Sequence, residues 1–296
     1  MKKTMLAATV ALLSFMNSPA QDYRLVWSDE FDSNTLGVNW NVEVAPRPAN
    51  NELQYYTDRD KNVKIEKGNL VLTGIREEYG GRHFTSGRVN SCEKVNFKHG
   101  KIQARIKLPK TARGLWPAFW MMGDDIRQVG WPKCYEIDIM EIGHSNGYEN
   151  NNEEKYFSGA LHWGKDTRNH KFVSYDTFNS YSVQDGEYHI FTCTWDENEI
   201  CFYVDDVPTP YFREQVGKET EHYQYAHKPH HILFNLAVGG DFPGLRDAKD
   251  VTALPKKGSK TEMLVDWVRV YQKTANAKFN ENDAEKVECP HIQHIK

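Results

Sequence analysis

The chain has 296 residues, 12% of them aromatic and 26% charged, with 41 acidic side chains against 37 lysines and arginines and a formal charge of -4. The acidic balance argues against a nucleic-acid partner, which needs a basic face. Past the first residues no stretch approaches the ~20 apolar residues of a membrane-spanning helix, so no membrane span is expected.

Met1 to Ala20 carries two lysines, an apolar run from Met5 to Met16 and the small-x-small pattern Ser18-Pro19-Ala20. It reads as a signal peptide that is cleaved to leave Gln21 first, with the mature protein secreted or periplasmic. The rest could hold one large β domain or two small ones, and its patterning favours one. Short β-rich runs at Leu70 to Ile75, Lys101 to Leu108, Lys155 to Trp163, Tyr188 to Trp195 and Ile200 to Val204 are punctuated by Gly, Asn, Asp and Pro, without a long 3.6-period segment. That is the pattern of an all-β sandwich over residues 21–273, followed by a polar C-terminal tail over 274–296.

Tyr135 to Glu141, Y-E-I-D-I-M-E, puts three carboxylates on a strand. Regular alternation would set Glu136, Asp138 and Met140 on one face and strand Glu141 among isoleucines on the other. One extra residue near Ile139 and Met140, a β-bulge, shifts the phase and brings Glu136, Asp138 and Glu141 onto one wall. Glu136 and Glu141 then lie roughly 13 Å apart at Cα, at about 3.3 Å per residue. Leaning side chains could close most of the distance to the ~5 to 5.5 Å that retaining cleavage of a glycosidic bond requires. Asp138 between them supplies the like charge that keeps Glu141 protonated. Taken alone, E-x-D-x-x-E fits a metal-binding or solvated acidic face equally well.

Eight tryptophans in a polar chain suit a polysaccharide cleft, since flat sugar faces stack on rings. Trp116 and Trp120, four apart on one strand face, and Trp131, just before the acids, are the candidates. Trp27, Trp40, Trp195 and Trp267 are assigned to the core, and Trp163 should face away from its neighbour His162.

The segments W-P-K-C-Y-E-I-D-I-M-E and G-L-W-P-A-F-W resemble glycoside hydrolase family 16, closest to its laminarinase-like endo-β-glucanases. Further matches are W-S-D-E-F-D at 27–32, N-E-L-Q-Y-Y-T at 51–57, S-G-R-V-N-S at 86–91, F-N-L-A-V-G-G at 234–240 and V-D-W-V-R-V-Y at 265–271. The resemblance implies a β-jelly-roll of two antiparallel sheets with a concave substrate cleft, and a strand that keeps the bulge, as in laminarinases, agarases and carrageenases. By position it makes Glu136 the nucleophile, Glu141 the acid/base and Asp138 their assistant. It places Trp116, Trp120 and Trp131 at the subsites flanking the scissile bond. Asn50 and Arg88 fall on the non-reducing side, and His162 near Glu141 and the leaving sugar. It also implies a structural calcium ion held by Glu30, the Gly68 carbonyl and Asp266, an oxygen set that suits Ca²⁺. No organic cofactor is expected. The expected partner is a β-1,3- or mixed-linkage β-1,3/1,4-glucan, bound by a monomer. The chain departs from the common pattern at Tyr135, where glycine is usual, and at Asp241-Phe242, where Asn-Trp often stands. The rival readings are the same fold and mechanism on a red-algal galactan, and a non-catalytic carbohydrate-binding sandwich.

His227, His230 and His231 of H-K-P-H-H-I offer imidazoles, but adjacent His230 and His231 face opposite sides of any strand and no acid or cysteine completes the set, so they read as the lead-in to a strand over Ile232 to Val238. Of five cysteines, Cys193 falls opposite Cys201 if a hairpin pairs Trp195 with Glu199, within disulfide reach, although free buried thiols fit as well. Cys134 is not a nucleophile candidate, because no Cys-His-Asn arrangement is apparent.

Overall fold

A computed structural model describes residues 23–273. The expected signal peptide, the polar tail and Cys289 lie outside the described residues. Two sheets face each other across one core. The larger runs Phe212–Gln215, Glu199–Val204, His189–Trp195, Gly100–Lys107, Lys260–Lys273, Leu70–Tyr79, Arg82–Ser86, Gln54–Tyr56, with Tyr23–Asp29 and Val63–Ile65 paired at its margins. The smaller runs His170–Phe178, Tyr156–Gly164, Glu136–Ile142, Leu115–Gly123, His230–Val238, Arg88–Asn90, Asn41–Val42, with Asn96–Phe97 against His230–Val238. The sandwich is the expected jelly-roll, and its named pairs are antiparallel except Gln54–Tyr56 with Arg82–Ser86.

Alternation decides which side chains meet. In Gly100–Lys107, Ile102, Ala104 and Ile106 are buried while Lys101, Gln103, Arg105 and Lys107 stay partly exposed, the period of two of a half-covered strand. In His230–Val238 every residue is buried, because the core lies on one face and the cleft floor on the other. His230 and His231 belong to this strand rather than leading into it. Phe119 stacks on Phe234 at 4.9 Å across the two central strands. Trp27, Trp40, Trp163 and Trp195 are buried in the same core as expected. Trp267 is not. It follows an irregularity between Val265 and Trp267, is half-buried, and carries Arg269 over its ring at 4.1 Å.

The hairpin of His189–Trp195 and Glu199–Val204 has a different register from that expected. Trp195 pairs with Ile200, and Cys193 lies opposite Phe202, Cys201 opposite Thr194. Asp196 accepts from the N–H groups of Asn198 and Glu199, holding a four-residue turn in place of the expected three-residue one. A one-residue slip reverses the faces. Cys193 enters the core, Cys201 does not, and both are free thiols.

Candidate active site

The bulge lies where the misplaced glutamate demanded it. On one side Phe119 pairs with Met140 and Trp120 with Asp138; on the other, Ala160 pairs with Asp138 and Ser158 with Glu141. Ile139 is the extra residue on the first side, and Ile139 and Met140 together face Gly159 on the second. The free Ile139 carbonyl is taken by the Tyr211 hydroxyl. Ile137, Ile139, Met140 and Ile142 face the core, while Glu136, Asp138 and Glu141 line the cleft. Gly143 ends the strand with φ 105°, and a Cβ there would sit 1.9 Å from the Leu115 carbonyl oxygen.

The three acids are tied to one another and to two indoles. Trp131, in the turn ahead of the strand, donates Nε1–H to Glu136 at 2.5 Å, and Trp116 donates to Glu141 at 2.9 Å. Burial pushes Glu136 up to about 8, and the Asp138 charge adds to this, opposed by His162 and the Trp131 donor. Burial pushes Asp138 up to about 7, with its hydrogen bond to Glu136 pulling the other way. Near neutrality these two therefore hold a proton between them. Burial holds Glu141 well above the usual carboxylate range, and Glu141 feels both Asp138 and Glu136 as like charges. Glu136 shares a proton with Asp138 whereas Glu141 holds its own, a difference that suits nucleophile and acid roles.

The wall belongs to a cleft of about 700 Å³ that crosses the smaller sheet from the loops of Asn50 and Asp241 to the His170–Phe178 strand. Asn50, Arg88, Trp116, Trp120, Trp131 and His162 all line it. Arg88 lies under Trp120 at 4.7 Å and faces Glu43 at 3.1 Å. His162 pairs opposite Glu136 and brings Nε2 to 3.2 Å from Asp138, so its direct contact is Asp138 rather than Glu141.

Five cleft groups were not anticipated. Asn235 accepts from the Trp120 indole at 2.7 Å. Phe242 stacks on Trp116 at 4.9 Å and 14°, with His144 edge-on to it. At the opposite end His162, His170 and Phe172 form a stack, Phe172 being 60% exposed. The alternation of H-K-F-V-S over 170–174 does put His170 and Phe172 on one face, a signal that was available.

The expected calcium ligands do not fit the ion as they stand. Both oxygens of Glu30 are held by Arg269, at 3.0 and 2.7 Å, and Asp266 is held by Arg105 at 2.6 Å. A dication there would meet two guanidinium groups. The three histidines also separate: His227 bonds His99, His230 packs edge-on against Trp195, and His231 faces Asp124 and Cys92. The expectation that no acid or cysteine completes a set is overturned at His231, because three strand ends meet there and bring in Asp124 and Cys92 from distant parts of the chain.

The description "Glycosyl hydrolases family 16" matches residues 49–269. The Clotting factor G alpha subunit of Tachypleus tridentatus is 34% identical over 84% of this chain, which spans about a third (34%) of that relative's length. A Glucan endo-1,3-beta-glucosidase of Cryptopygus antarcticus is 34% identical over 86% of this chain and 96% of its own. Among solved structures, a Bacteroides ovatus mixed linkage glucan GH16 protein in complex with a G4G4G3G product superposes with a TM-score of 0.75 at 40% identity, covering 82% of this chain and 99% of that one.

Proposed function

This chain belongs to glycosyl hydrolase family 16, and from that membership we propose an endo-acting enzyme that cuts internal bonds of a β-1,3- or mixed-linkage β-1,3/1,4-glucan with retention. The observation that carries the reading is the bulged strand, which sets Glu136, Asp138 and Glu141 on one cleft wall with an indole N–H on each outer acid. At rest Glu136 holds the shared proton more tightly than Asp138, and attack requires that proton to pass to Asp138, which frees Glu136 as a carboxylate. It attacks the anomeric carbon while the glycosidic C–O bond breaks, and Glu141 gives its proton to the departing oxygen. Glu141, now ionised, takes a proton from water as that water attacks the anomeric carbon and releases Glu136. Trp116 with Phe242, and Trp131 with the His162, His170 and Phe172 stack, offer ring faces on either side of the acids.

The likeness to the Bacteroides ovatus protein favours a glucan with mixed linkages. A sulfated galactan is disfavoured by charge. Arg88 is the one lysine or arginine among the described cleft-lining residues, and Glu43 already faces it, while Glu52, Glu136, Asp138, Glu141 and the Arg246-paired Asp241 line the same space. No organic cofactor enters the scheme. Calcium at Glu30, Gly68 and Asp266 would require Arg269 and Arg105 to swing away, and a calcium-dependent rise in Tm that Glu30→Gln removes is the result that would support it. No helix of the described residues is long and apolar enough to cross a membrane. Export after cleavage near Ala20, a catalytic domain over 21–273 and a monomeric state complete the proposal.

The deciding experiment incubates wild-type and Glu136→Gln protein with laminarin, barley mixed-linkage glucan, lichenan, agarose and carrageenan, and sizes the products over time. Early oligomers of mixed length from the glucans, with none from the variant, carry the reading. Products from the galactans alone would move the substrate, and binding without products would make the sandwich non-catalytic. Proton NMR of the first product formed tests retention directly.

A further inference from the structure

The Nδ1 atom of His231 is buried and makes no well-aligned hydrogen bond, its nearest polar neighbour being the Asp124 carboxylate. The residue is 3% exposed, and this nitrogen points at Asp124, 3.2 Å from Oδ1. The Cys92 sulfur closes the group. One donor atom from each of Cys92, Asp124 and His231 lies within 4.8 Å of the other two. The three come from separate parts of the chain: Cys92 follows Arg88–Asn90, Asp124 follows Leu115–Gly123, and His231 is second in His230–Val238. These neighbouring strands of the smaller sheet therefore converge on one point at their ends.

We propose that Cys92, Asp124 and His231 form a metal site for a zinc-class divalent cation, with water or an exogenous ligand in the fourth position. The donor set is selective. A thiolate and an imidazole favour zinc-like ions over calcium or magnesium, and the thiolate and carboxylate together cancel a double positive charge. The spacing is close to what the ion needs. Bonds of about 2.3 Å to sulfur and 2.0–2.1 Å to nitrogen and oxygen separate tetrahedral ligand atoms by roughly 3.3–3.6 Å, so the group contracts by little more than an ångström. The carboxylate is already oriented, since the Glu93 N–H bonds Oδ1 at 3.1 Å and the Asn96 amide bonds Oδ2 at 2.7 Å. Such outer partners fix ligand geometry in known metal sites. The site shares no residue with the Glu136, Asp138 and His162 group, and Met122, which pairs with Glu136 on one side and His231 on the other, lies between them. A bound ion would pin together the ends of strands that carry Arg88, Trp120 and Asn235.

The test uses the full chain stripped with a chelator, titrated with Zn²⁺ by calorimetry and with Co²⁺ by absorption. The proposal expects one Zn²⁺ per chain, a thiolate-to-cobalt charge-transfer band in the near ultraviolet, and a Tm that rises with Zn²⁺. Cys92→Ser should abolish the band, and both Cys92→Ser and His231→Asn should weaken Zn²⁺ binding at least ~10-fold, while Glu136→Gln leaves it unchanged. Absence of stoichiometric binding to the wild-type protein, binding without the charge-transfer band, or binding lost on Glu136→Gln would each overturn it. The wild-type measurements decide even if a variant folds poorly.

Discussion

The Trp116 indole donates Nε1–H to Oε1 of Glu141 at 2.9 Å while its ring stacks on Phe242 at 4.9 Å, so one side chain both holds the proposed acid and builds the cleft surface beside it. A donor to a carboxylate favours its ionised form. Trp116→Phe keeps a ring but removes the donor, so Glu141 should stay protonated to higher pH. The alkaline limb of kcat/KM is expected to move up by roughly one pH unit, a hydrogen bond to a charged group being worth about 1.5–3 kcal/mol. An unmoved limb would mean that Glu141 does not set it.

Asp138→Asn should move the same limb the other way. Asp138 is the largest like charge acting on Glu141 after burial itself. Removing it lets Glu141 lose its proton earlier, so the alkaline limb falls while Glu136 keeps an amide partner. Opposite shifts from these two variants, read in pH profiles on one soluble glucan, would separate the contributions of neighbour and donor.

The acids also make stability depend on pH. Glu136 and Asp138 have folded-state pKa values raised to about 8 and about 7, above their unfolded values. Their contribution is therefore fully favourable below about pH 4 and is lost as pH rises through 7 and 8. Glu136→Gln should raise Tm at pH 8, by about 5 °C for a discounted gain of about 2 kcal/mol, and change it little at pH 4. A variant less stable at pH 8 would show that the carboxylate is net stabilising.

The bulge predicts an unusual tolerance. Deleting Ile139 leaves E-I-D-M-E, in which plain alternation still puts all three acids on one face, and both neighbouring strands keep their pairing. The deletion should fold with a loss of about 1.5–3 kcal/mol of apolar burial and retain measurable activity. Deleting Ile137 instead breaks the alternation of Glu136 with Asp138 and should abolish activity. Equal outcomes for the two, in Tm and kcat/KM, would refute the phase argument.

Tyr135 shows why a glycine position can hold a large residue. Its φ is 72°, the left-handed region that costs a bulky side chain about 1–3 kcal/mol. In return the ring is fully buried and its hydroxyl meets Nδ1 of His222 at 2.9 Å. Tyr135→Gly relieves the backbone but empties a site where aromatic truncation costs about 3–5 kcal/mol, so a net loss near 2 kcal/mol in urea unfolding is expected. A more stable variant would mean that strain dominates.

What could be read from the sequence follows from how local its causes are. The bulge is legible because a glutamate two positions past an isoleucine violates alternation within seven residues. Trp116 and Trp120 share a face for the same reason. The Cys193 and Cys201 register is not, because the Asp196 side chain lengthens the turn by one residue and reverses the faces. The gathering of Cys92 and Asp124 around His231 depends on three strands ending together, which no spacing along the chain records. Trp267 left the core because an irregularity at Val265 changed its phase.

Arg88, the one lysine or arginine among the described cleft-lining residues, faces Glu43 and lies beneath Trp120, and the exposed Arg246 at the rim is paired with Asp241, so the acid-lined wall offers a charged polymer little unpaired positive charge. Ionic strength then separates substrates by kinetics. A neutral polysaccharide should bind with a KM nearly flat from low to high salt. A polyanion should be repelled at low salt and admitted only as the screening length shortens towards the width of the cleft, from about 30 Å at 0.01 M to about 3 Å at 1 M.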